Sequence, residues 1–149
     1  MKVVETRVDI QAPARDVWDV LTDFPSYERE GWNSYIRSIQ ASMVMGGPVV
    51  ADTYTEQMGQ RPLKARLVGV SFPELSWEAK LPVPGLIHAV HYFRVEALNE
   101  QRSRLIQGER VSGLLTPTVF HLVVKSRSGF EALNDALKRR AEARIAPSR

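Results

Sequence analysis

Residues 116–145 have the sequence TPTVFHLVVKSRSGFEALNDALKRRAEARI, the longest stretch of the chain that keeps helical periodicity. Its apolar residues recur at spacings of three, four or seven and are Val119, Val123, Phe130, Leu133, Leu137, Ala141 and Ile145. Thr116 is expected to cap the first turn with its hydroxyl, and Pro117 suits that turn because its missing N–H would have no helical partner. The stretch predicts a long C-terminal helix with one apolar face that the preceding chain must cover.

The segment Ser126-Arg127-Ser128-Gly129 interrupts this pattern. A glycine inside a helix costs roughly 1 kcal/mol relative to alanine, so the helix either bends here or divides into two. We favour one helix with a bend near Gly129, a hinge that would let residues 117–128 move as a lid. The residues expected to face water on this helix are Arg127, Asp135, Lys138 and Glu142.

Length and composition bound the class of protein. The chain has 149 residues, 44% of them hydrophobic, which predicts one domain over residues 1–149. No window approaches the roughly 20 apolar residues of a membrane span, and the N-terminus lacks the apolar region of a signal peptide. Cysteine is absent, which excludes disulfides and thiolate metal sites. We therefore expect a cytoplasmic protein without stable membrane insertion.

The net charge of +3 is concentrated in the C-terminal helix. From Pro117 onward there are seven Lys or Arg residues against three Asp or Glu, so the remainder of the chain stands at −1. No basic strand carries the interleaved aromatic residues on which nucleic-acid bases stack. A solvated outer helix face accounts for the charge better than a nucleic-acid partner does.

The segments before this helix are shorter. Residues 2–10 alternate as a strand, Pro13 opens a helix that ends at Asp23-Phe24-Pro25, and residues 26–30 form a second helical turn. Six further strands are separated by turn residues and are expected at 35–44, 49–58, 63–71, 75–81, 86–98 and 102–113. This β-α-α-β6-α order predicts an α+β fold with an antiparallel sheet that carries its helices on one face.

Several motifs extend over nearly the whole chain: VDIQAP at 8–13, VWDVLTDF at 17–24, Trp32-Asn33, QGE at 107–109 and GFEALN at 129–134. Together they resemble the polyketide cyclase/dehydrase and lipid-transport superfamily, also called SRPBCC, which includes START-like and birch-pollen-allergen-like domains. The resemblance implies the helix-grip fold, in which a curved seven-stranded sheet wraps a long C-terminal helix and two short helices close one end. It also implies a cavity for a hydrophobic small molecule, without fixing a reaction.

Two polar residues share an apolar face in the last predicted hairpin. Odd positions form the less charged face of residues 86–98 and 102–113. If the turn centres on Glu100, residues whose numbers sum to 200 are opposite, which places His91 across from Glu109 with Cβ atoms about 4.5–5.5 Å apart. Three interpretations stay open for this pair: a satisfied structural pair, the polar end of a ligand pocket, or a general acid/base.

Aromatic and polar residues near this hairpin are further candidates for lining the cavity. The candidate ligand-binding residues are Trp32, Asn33, Tyr54, Trp77, His91, Phe93, Gln107, Glu109 and Phe120. No metal site is expected, because His88 and His91 fall on opposite faces of one strand. The chain has neither a phosphate-binding loop nor a dinucleotide fingerprint, so no cofactor is expected.

The leading hypothesis is binding or carriage of a hydrophobic, partly polar small molecule such as a lipid, an isoprenoid quinone or a polyketide. One alternative is an enzyme of the polyketide aromatase/cyclase type, for which no catalytic residue is assigned. A second alternative is a protein-interaction module that uses the basic helix face. The identity of the ligand and the oligomeric state stay open.

Overall fold

The computed structural model describes residues 1–145, and its elements follow the predicted β-α-α-β6-α order. The strands are β1 (Lys2–Ile10), β2 (Ile36–Ala41), β3 (Pro48–Thr55), β4 (Gly59–Ser71), β5 (Glu74–Lys80), β6 (His88–Ala97) and β7 (Ser103–Ser112). The helices are α1 (Ala14–Thr22), α2 (Phe24–Glu30), α3 (Thr116–Lys125) and α4 (Arg127–Ile145). The α+β class is confirmed; residues 146–149 of the predicted domain lie outside the described part.

The seven strands form one antiparallel sheet in the order β1-β7-β6-β5-β4-β3-β2. Register shifts interrupt the pairing of β2 with β3 and of β4 with β5, and such bulges bend and twist a sheet. The curved inner face packs against α4, and the core between them holds large side chains with no solvent exposure, such as Phe130, Leu133 and Leu137. This is the helix-grip architecture expected from the sequence.

The C-terminal helix bends within the predicted segment 126–129; the break lies at Ser126, between α3 and α4, three residues before Gly129. The Ser126 N–H donates to the carbonyls of Leu122 and Val123, and the Phe130 N–H donates to the Ser126 carbonyl, so the two helices stay hydrogen-bonded across the bend. Gly129 lies inside α4 against Tyr35, where a Cβ atom would come within 2.3 Å of the ring. Gly129 therefore makes room for the Tyr35 ring and is not itself the point at which the helix bends.

The start of α3 also differs from the prediction. Leu115 precedes the helix, and no side chain caps it. Thr116 is the first helical residue, and its hydroxyl donates instead to the Gly113 carbonyl at 2.7 Å. Pro117 occupies the first turn as expected. The turn depends on Gly113, whose φ of 108° is readily available only to glycine.

The two predicted faces of the C-terminal helix are largely confirmed. The buried apolar residues are Val123, Phe130, Leu133, Leu137 and Ala141. Val119 is half-buried, whereas Ile145, expected on this face, is 42% exposed. Arg127 and Asp135 are exposed, but Lys138 and Glu142 are half-buried, because Glu142 accepts hydrogen bonds from Lys138 Nζ at 2.6 Å and from a backbone N–H of the loop after β1. None of the helices within residues 1–145 has the length and apolar character needed to span a membrane.

Candidate functional site

A cavity of about 320 Å³ lies between α3 and the inner face of the sheet. This volume falls at the lower end of the range of small-molecule sites, roughly 300–1,000 Å³. Much of its wall is apolar and includes Ile36, Leu63, Trp77, Ala89, Val119 and Leu122. The polar residues in the lining include Thr53, Thr55, Arg61, His91, Glu109 and Ser126. The cavity therefore has a largely apolar wall that a few polar and charged groups interrupt.

His91 and Glu109 are directly opposite each other on β6 and β7, in the register expected from a turn centred on Glu100. His91 Nδ1 lies 3.2 Å from Glu109 Oε1. The His91 side chain is only 5% exposed, whereas that of Glu109 is 23% exposed, and both border the cavity. The carboxyl group is thus the more accessible member, with the imidazole buried behind it.

Gln107 fixes the donor and acceptor roles around His91. Its amide nitrogen lies 3.1 Å from the Phe130 carbonyl oxygen and 2.7 Å from Asn134 Oδ1. Because a backbone carbonyl only accepts, the atom that faces Phe130 must be Nε2, which leaves Oε1 facing His91 Nε2 at 3.0 Å. His91 therefore donates its Nε2–H to Gln107.

This assignment restricts how His91 and Glu109 can be hydrogen-bonded. A neutral imidazole that carries its hydrogen on Nε2 has a bare Nδ1, which cannot donate to a carboxylate. The 3.2 Å contact is a hydrogen bond only if His91 is an imidazolium beside a carboxylate, or if neutral His91 faces a carboxylic acid.

The network continues away from the cavity and joins α4 to the sheet. Asn134 Nδ2 donates to Thr6 Oγ1 at 2.8 Å, and the Thr6 hydroxyl donates to the Gln107 carbonyl at 2.9 Å. Thr6, Gln107 and Asn134 are all buried. A buried polar network in which every group has a hydrogen-bond partner is rigid. Removing one member destabilises the fold, because it leaves another buried polar group without a partner. The network thus holds the His91 imidazole through Nε2, on the side away from Glu109.

Aromatic rings enclose the His91 imidazole. The Trp77 ring stacks on it with a centroid separation of 5.2 Å and an interplanar angle of 9°. The Phe130 ring meets it edge-on at 4.9 Å, and Phe93 lies 5.0 Å away. These ring contacts and the hydrogen bond to Gln107 leave the imidazole one orientation. Of the predicted ligand-binding residues, Trp77, His91 and Glu109 line the cavity, while Phe93 and Gln107 are buried beside His91.

Sequence reasoning missed Tyr35, Asn134 and Arg61. Burial and then the negative charge of Glu109 raise the pKa of the Tyr35 phenol, so the cavity wall contains a neutral hydroxyl near the carboxyl group. Asn134 had a readable signal, because it follows Phe130 by four residues and so falls on the buried helix face. Arg61, a cationic lining residue, had no distinguishing signal in the sequence.

Trp32 and Asn33 lie away from the cavity and border a separate depression beside α4. Asn33 Oδ1 accepts the backbone N–H groups of Tyr35 and Ile36 at 3.0 and 2.8 Å. Trp32 Nε1 donates to Ser26 Oγ at 3.0 Å. Asn33 Oδ1 and Trp32 Nε1 shape the connection between α2 and β2, whereas the buried Asn33 Nδ2 has no hydrogen-bond partner within residues 1–145. Neither residue is part of the cavity lining.

Tyr54 and Phe120 are also outside the cavity lining. Tyr54 is on the outer face of β3, since the alternate residues of that strand point inward, and the Arg37 guanidinium lies 3.9 Å from its ring centroid. Phe120 packs partly against the core, and Lys2 Nζ lies 5.4 Å from its ring centroid. The structure brings neither ring to the carboxyl end of the cavity.

The fold and the cavity together define a helix-grip protein with a cavity between its sheet and α3. The profile of the family described as polyketide cyclase/dehydrase and lipid transport matches residues 1–142. The chain belongs to this family. A sequence comparison with curated proteins finds no match.

Solved structures share the architecture. An aromatase/cyclase from Streptomyces sp. R1128 has 18% identity and a TM-score of 0.72, with 97% of this chain and 96% of that one covered. A norcoclaurine synthase from Thalictrum flavum has 10% identity and a TM-score of 0.72 over the same shares. A START superfamily protein from Mycobacterium smegmatis has 19% identity and a TM-score of 0.67, covering 95% of this chain and 97% of that one. At these identities the likeness concerns the fold.

Proposed function

We propose that this protein binds a hydrophobic small molecule with an oxygen function, such as a lipid, a quinone or a polyketide, in the cavity between α3 and the sheet. The observation that carries the proposal is the cavity of about 320 Å³, lined largely by apolar side chains and bordered by the partly exposed carboxyl group of Glu109. The family description, which joins polyketide chemistry with lipid transport, supports this ligand class. A cytoplasmic location and the lack of a nucleic-acid partner remain part of the proposal.

The His91–Glu109 pair suits either of two oxygen functions. When Glu109 is protonated, its O–H turns from His91 Nδ1 to a ligand carbonyl and the contact with His91 is given up; when Glu109 is ionised, the carboxylate accepts from a ligand hydroxyl. The apolar part of the ligand then lies against Ile36, Leu63 and Leu122, where its burial contributes about 25 cal/mol per Å². Apolar burial supplies affinity, and the carboxyl group selects orientation.

Filling the cavity tests this proposal directly. Ala89 lines the cavity, whereas Val90 is the next residue of β6 and points to the outer face. Ala89→Phe is expected to abolish binding of a fluorescent apolar dye, and Val90→Phe is expected to leave it unchanged. Native mass spectrometry of freshly purified wild type should show a bound small molecule that Ala89→Phe lacks. Equal dye binding by the two variants would place the binding site elsewhere.

A second candidate function, a cyclase-type enzyme, is favoured by the 3.2 Å contact between His91 Nδ1 and Glu109 Oε1 at the cavity. In a β-hydroxy ketone, Glu109 as an acid would protonate the hydroxyl that leaves as water; the carboxylate would then take the α-hydrogen as the C=C bond forms. No external oxidant or reductant is needed. His91 would be a positioning residue that holds the proton, since Glu109 is the more accessible member.

Separating binding from turnover tests this second function. Glu109→Gln keeps the shape of the side chain but cannot exchange the proton, so it should bind a β-hydroxy ketone probe and lose formation of the dehydrated product. Glu96→Gln, on the outer face of β6, is the matched control and should keep both. If Glu109→Gln still forms product at the wild-type rate, the pair has only a binding or structural role.

The protein-interaction hypothesis receives less support from the basic helix face. Arg127 pairs with Glu131 at 3.0 Å, Lys138 with Glu142 at 2.6 Å, and Arg140 with Glu30 at 2.9 Å. Much of the positive charge of this face is therefore balanced within the molecule, which weakens its attraction for an acidic partner.

A further inference from the structure

β1 is an edge strand, and one row of its backbone groups points away from the sheet. Within residues 1–145, β7 lies on one side of β1 and no strand lies on the other. Just beyond β6, in the same register, the Leu98 N–H donates to the Arg102 carbonyl at 2.9 Å, so the even-numbered residues of β6 and β7 are hydrogen-bonded to each other. Bonded and non-bonded pairs alternate along antiparallel strands, so the odd-numbered residues of β7 bond to β1. The odd-numbered residues of β1 therefore direct their N–H and C=O groups off the edge.

Other parts of the fold leave most of this edge open. Lys138 Nζ donates to the Asp9 carbonyl at 3.1 Å and so occupies one end of it. Outside the β1–β7 ladder, no hydrogen bond within residues 1–145 reaches the backbone groups of Val3, Glu5 or Arg7. Val3 is 43% exposed, and the Arg7 side chain is 60% exposed. An open edge of this kind is a ready template for a further strand.

The charges of this edge suit a second copy of the chain. In an antiparallel pair, edge-directed residues of one strand lie opposite edge-directed residues of the other, so only odd positions face odd positions. A two-fold axis beside Thr6 places Glu5 opposite Arg7 of the second copy, and Arg7 opposite its Glu5. An axis at Glu5 or at Arg7 places that residue opposite its own copy. Opposite charges across a strand pair stabilise it and like charges destabilise it, so the register centred on Thr6 is favoured.

The helix above this edge has a matching order of charges. Asn134 Nδ2 donates to Thr6 Oγ1 at 2.8 Å, so an axis beside Thr6 also passes near Asn134 of α4. On the side of the open edge, Glu131 precedes this point and Lys138 follows it. The axis therefore brings Glu131 near Lys138 of the second copy. Asp135 lies beside the axis and faces its own copy, a repulsion that keeps the association weak.

We propose that the protein forms a reversible homodimer in which the two β1 strands pair antiparallel about Thr6 and join the two sheets into one. This goes beyond the proposed function, because the cavity between α3 and the sheet needs no second copy. A second copy fits better than an unrelated extended peptide, since its own charges match the edge in this register. The pairing also covers backbone groups that would otherwise accept any extended chain.

Analytical ultracentrifugation over a range of concentrations tests the pairing. Wild type should show an equilibrium between monomer and dimer. Arg7→Glu should raise the dissociation constant by about tenfold or more, because two symmetric attractive contacts become repulsive. Lys64→Glu makes the same change of charge at an exposed position of β4, away from the edge, and should leave the equilibrium unchanged. Thermal melts should show that both variants stay folded.

A backbone variant separates the strand pairing from the charges. The Arg7 N–H faces the open edge, so Arg7→Pro removes no hydrogen bond of the β1–β7 ladder. It should abolish the dimer, because proline neither donates nor admits a neighbouring strand there. Asp135→Asn should have the opposite effect and lower the dissociation constant, because it removes the repulsion beside the axis.

Mixing two variants tests the register. Glu5→Arg and Arg7→Glu should each be largely monomeric alone. Together they should form a heterodimer, because the acids of one variant then face the cations of the other, and native mass spectrometry distinguishes it by mass. The double variant Glu5→Arg/Arg7→Glu should dimerise as wild type does. It serves as the second test of the register, because Glu5→Arg also removes the acceptor of the Tyr92 hydroxyl.

Three results would overturn the dimer. They are a wild type that stays monomeric at every concentration, a dimer that survives both Arg7→Glu and Arg7→Pro, and an equal loss in Lys64→Glu. Failure of the mixed variants and of the double variant to associate would contradict the register centred on Thr6. Dye titration of the cavity is a separate measurement, so a monomeric wild type that binds the dye contradicts the dimer alone.

Discussion

The two parts of the C-terminal helix have similar apolar patterns and different environments. In α4, Phe130, Leu133 and Leu137 have no solvent exposure, and Asn134 is hydrogen-bonded to Gln107 of the sheet. In α3, only Thr116 and Val123 are buried, and the inner side of the helix covers an open volume. Two helical segments with similar patterns thus have different roles: α4 packs against a closed core, and α3 covers a cavity.

The difference shows how this fold separates stability from binding. Close packing and a satisfied polar network make α4 the part that holds the sheet in its curve. The looser packing of α3 leaves space for a ligand, and the bend at Ser126 lets the two helices differ without a loop between them. Changes in α4 should therefore affect folding, and changes in α3 should affect binding.

The largest expected effect is on the free energy of unfolding, when a buried side chain is shortened in α4 and, for comparison, in α3. Leu133→Ala should lower the free energy of unfolding by about 2–5 kcal/mol, because it leaves a void in a closed core. Val123→Ala should cost less than about 1.6 kcal/mol, the value of two methylene groups, because its site already borders a cavity. Urea denaturation monitored by circular dichroism measures both. Equal losses would mean that α3 is packed as tightly as α4.

Gly129→Ala should destabilise the protein by about 1–3 kcal/mol, although alanine favours helices, because its Cβ would meet the Tyr35 ring at 2.3 Å. Ser128→Ala, at the neighbouring exposed position, is the control and should change stability by no more than about 0.5 kcal/mol. A stabilised Gly129→Ala protein would show that the ring moves aside freely, and that α4 is less tightly packed than described.

The two helices should also differ in local opening. Amides of α3 should exchange with deuterium at least about tenfold faster than amides of α4, because fewer buried contacts oppose opening. Adding a cavity ligand should slow exchange in α3 and leave α4 unchanged. Hydrogen-exchange mass spectrometry resolves the two segments. If the amides of α3 and α4 exchanged equally slowly both without and with the ligand, α3 would not open more readily than α4.

The smallest effect concerns the attachment of the C-terminal turns of α4. Burial opposes ionisation of Glu142, but hydrogen bonds from Lys138 and the Gln11 N–H outweigh it, so the pKa of this carboxyl is lowered. A lowered folded-state pKa gives stability that is present above the unfolded value of about 4.3 and is lost as pH falls through the folded one. Glu142→Gln should remove no more than about 0.5 kcal/mol at pH 7 and nothing at pH 2. Melts that show the same loss at both pH values would assign the effect to packing.

The sheet was predictable where local rules decide it. Alternation and a symmetric turn were enough to place His91 opposite Glu109. The bend was predicted within residues 126–129 and lies at Ser126. The role of Gly129 was not predictable, because a glycine in a helix looks like a break until the Tyr35 ring that needs its space is known. Tyr54 was assigned to the cavity because it is aromatic, although the alternation of residues along β3 places it on the outer face of the sheet. Asn33 and Trp32 satisfy backbone and side-chain partners that only the folded connection brings together.

The position of β1 has a consequence for how the chain folds. Within residues 1–145, β1 pairs only with β7, so that Lys2 meets Val111 and Ile10 meets Ser103, about a hundred residues later in the chain. During synthesis, β1 leaves the ribosome well before β7 and has no pairing partner until β7 has followed it. Pairings this distant in sequence are typical of domains that fold in milliseconds to seconds, and stopped-flow refolding would measure the rate. Until that edge closes, the nascent chain exposes one side of β7 and the cavity wall behind it.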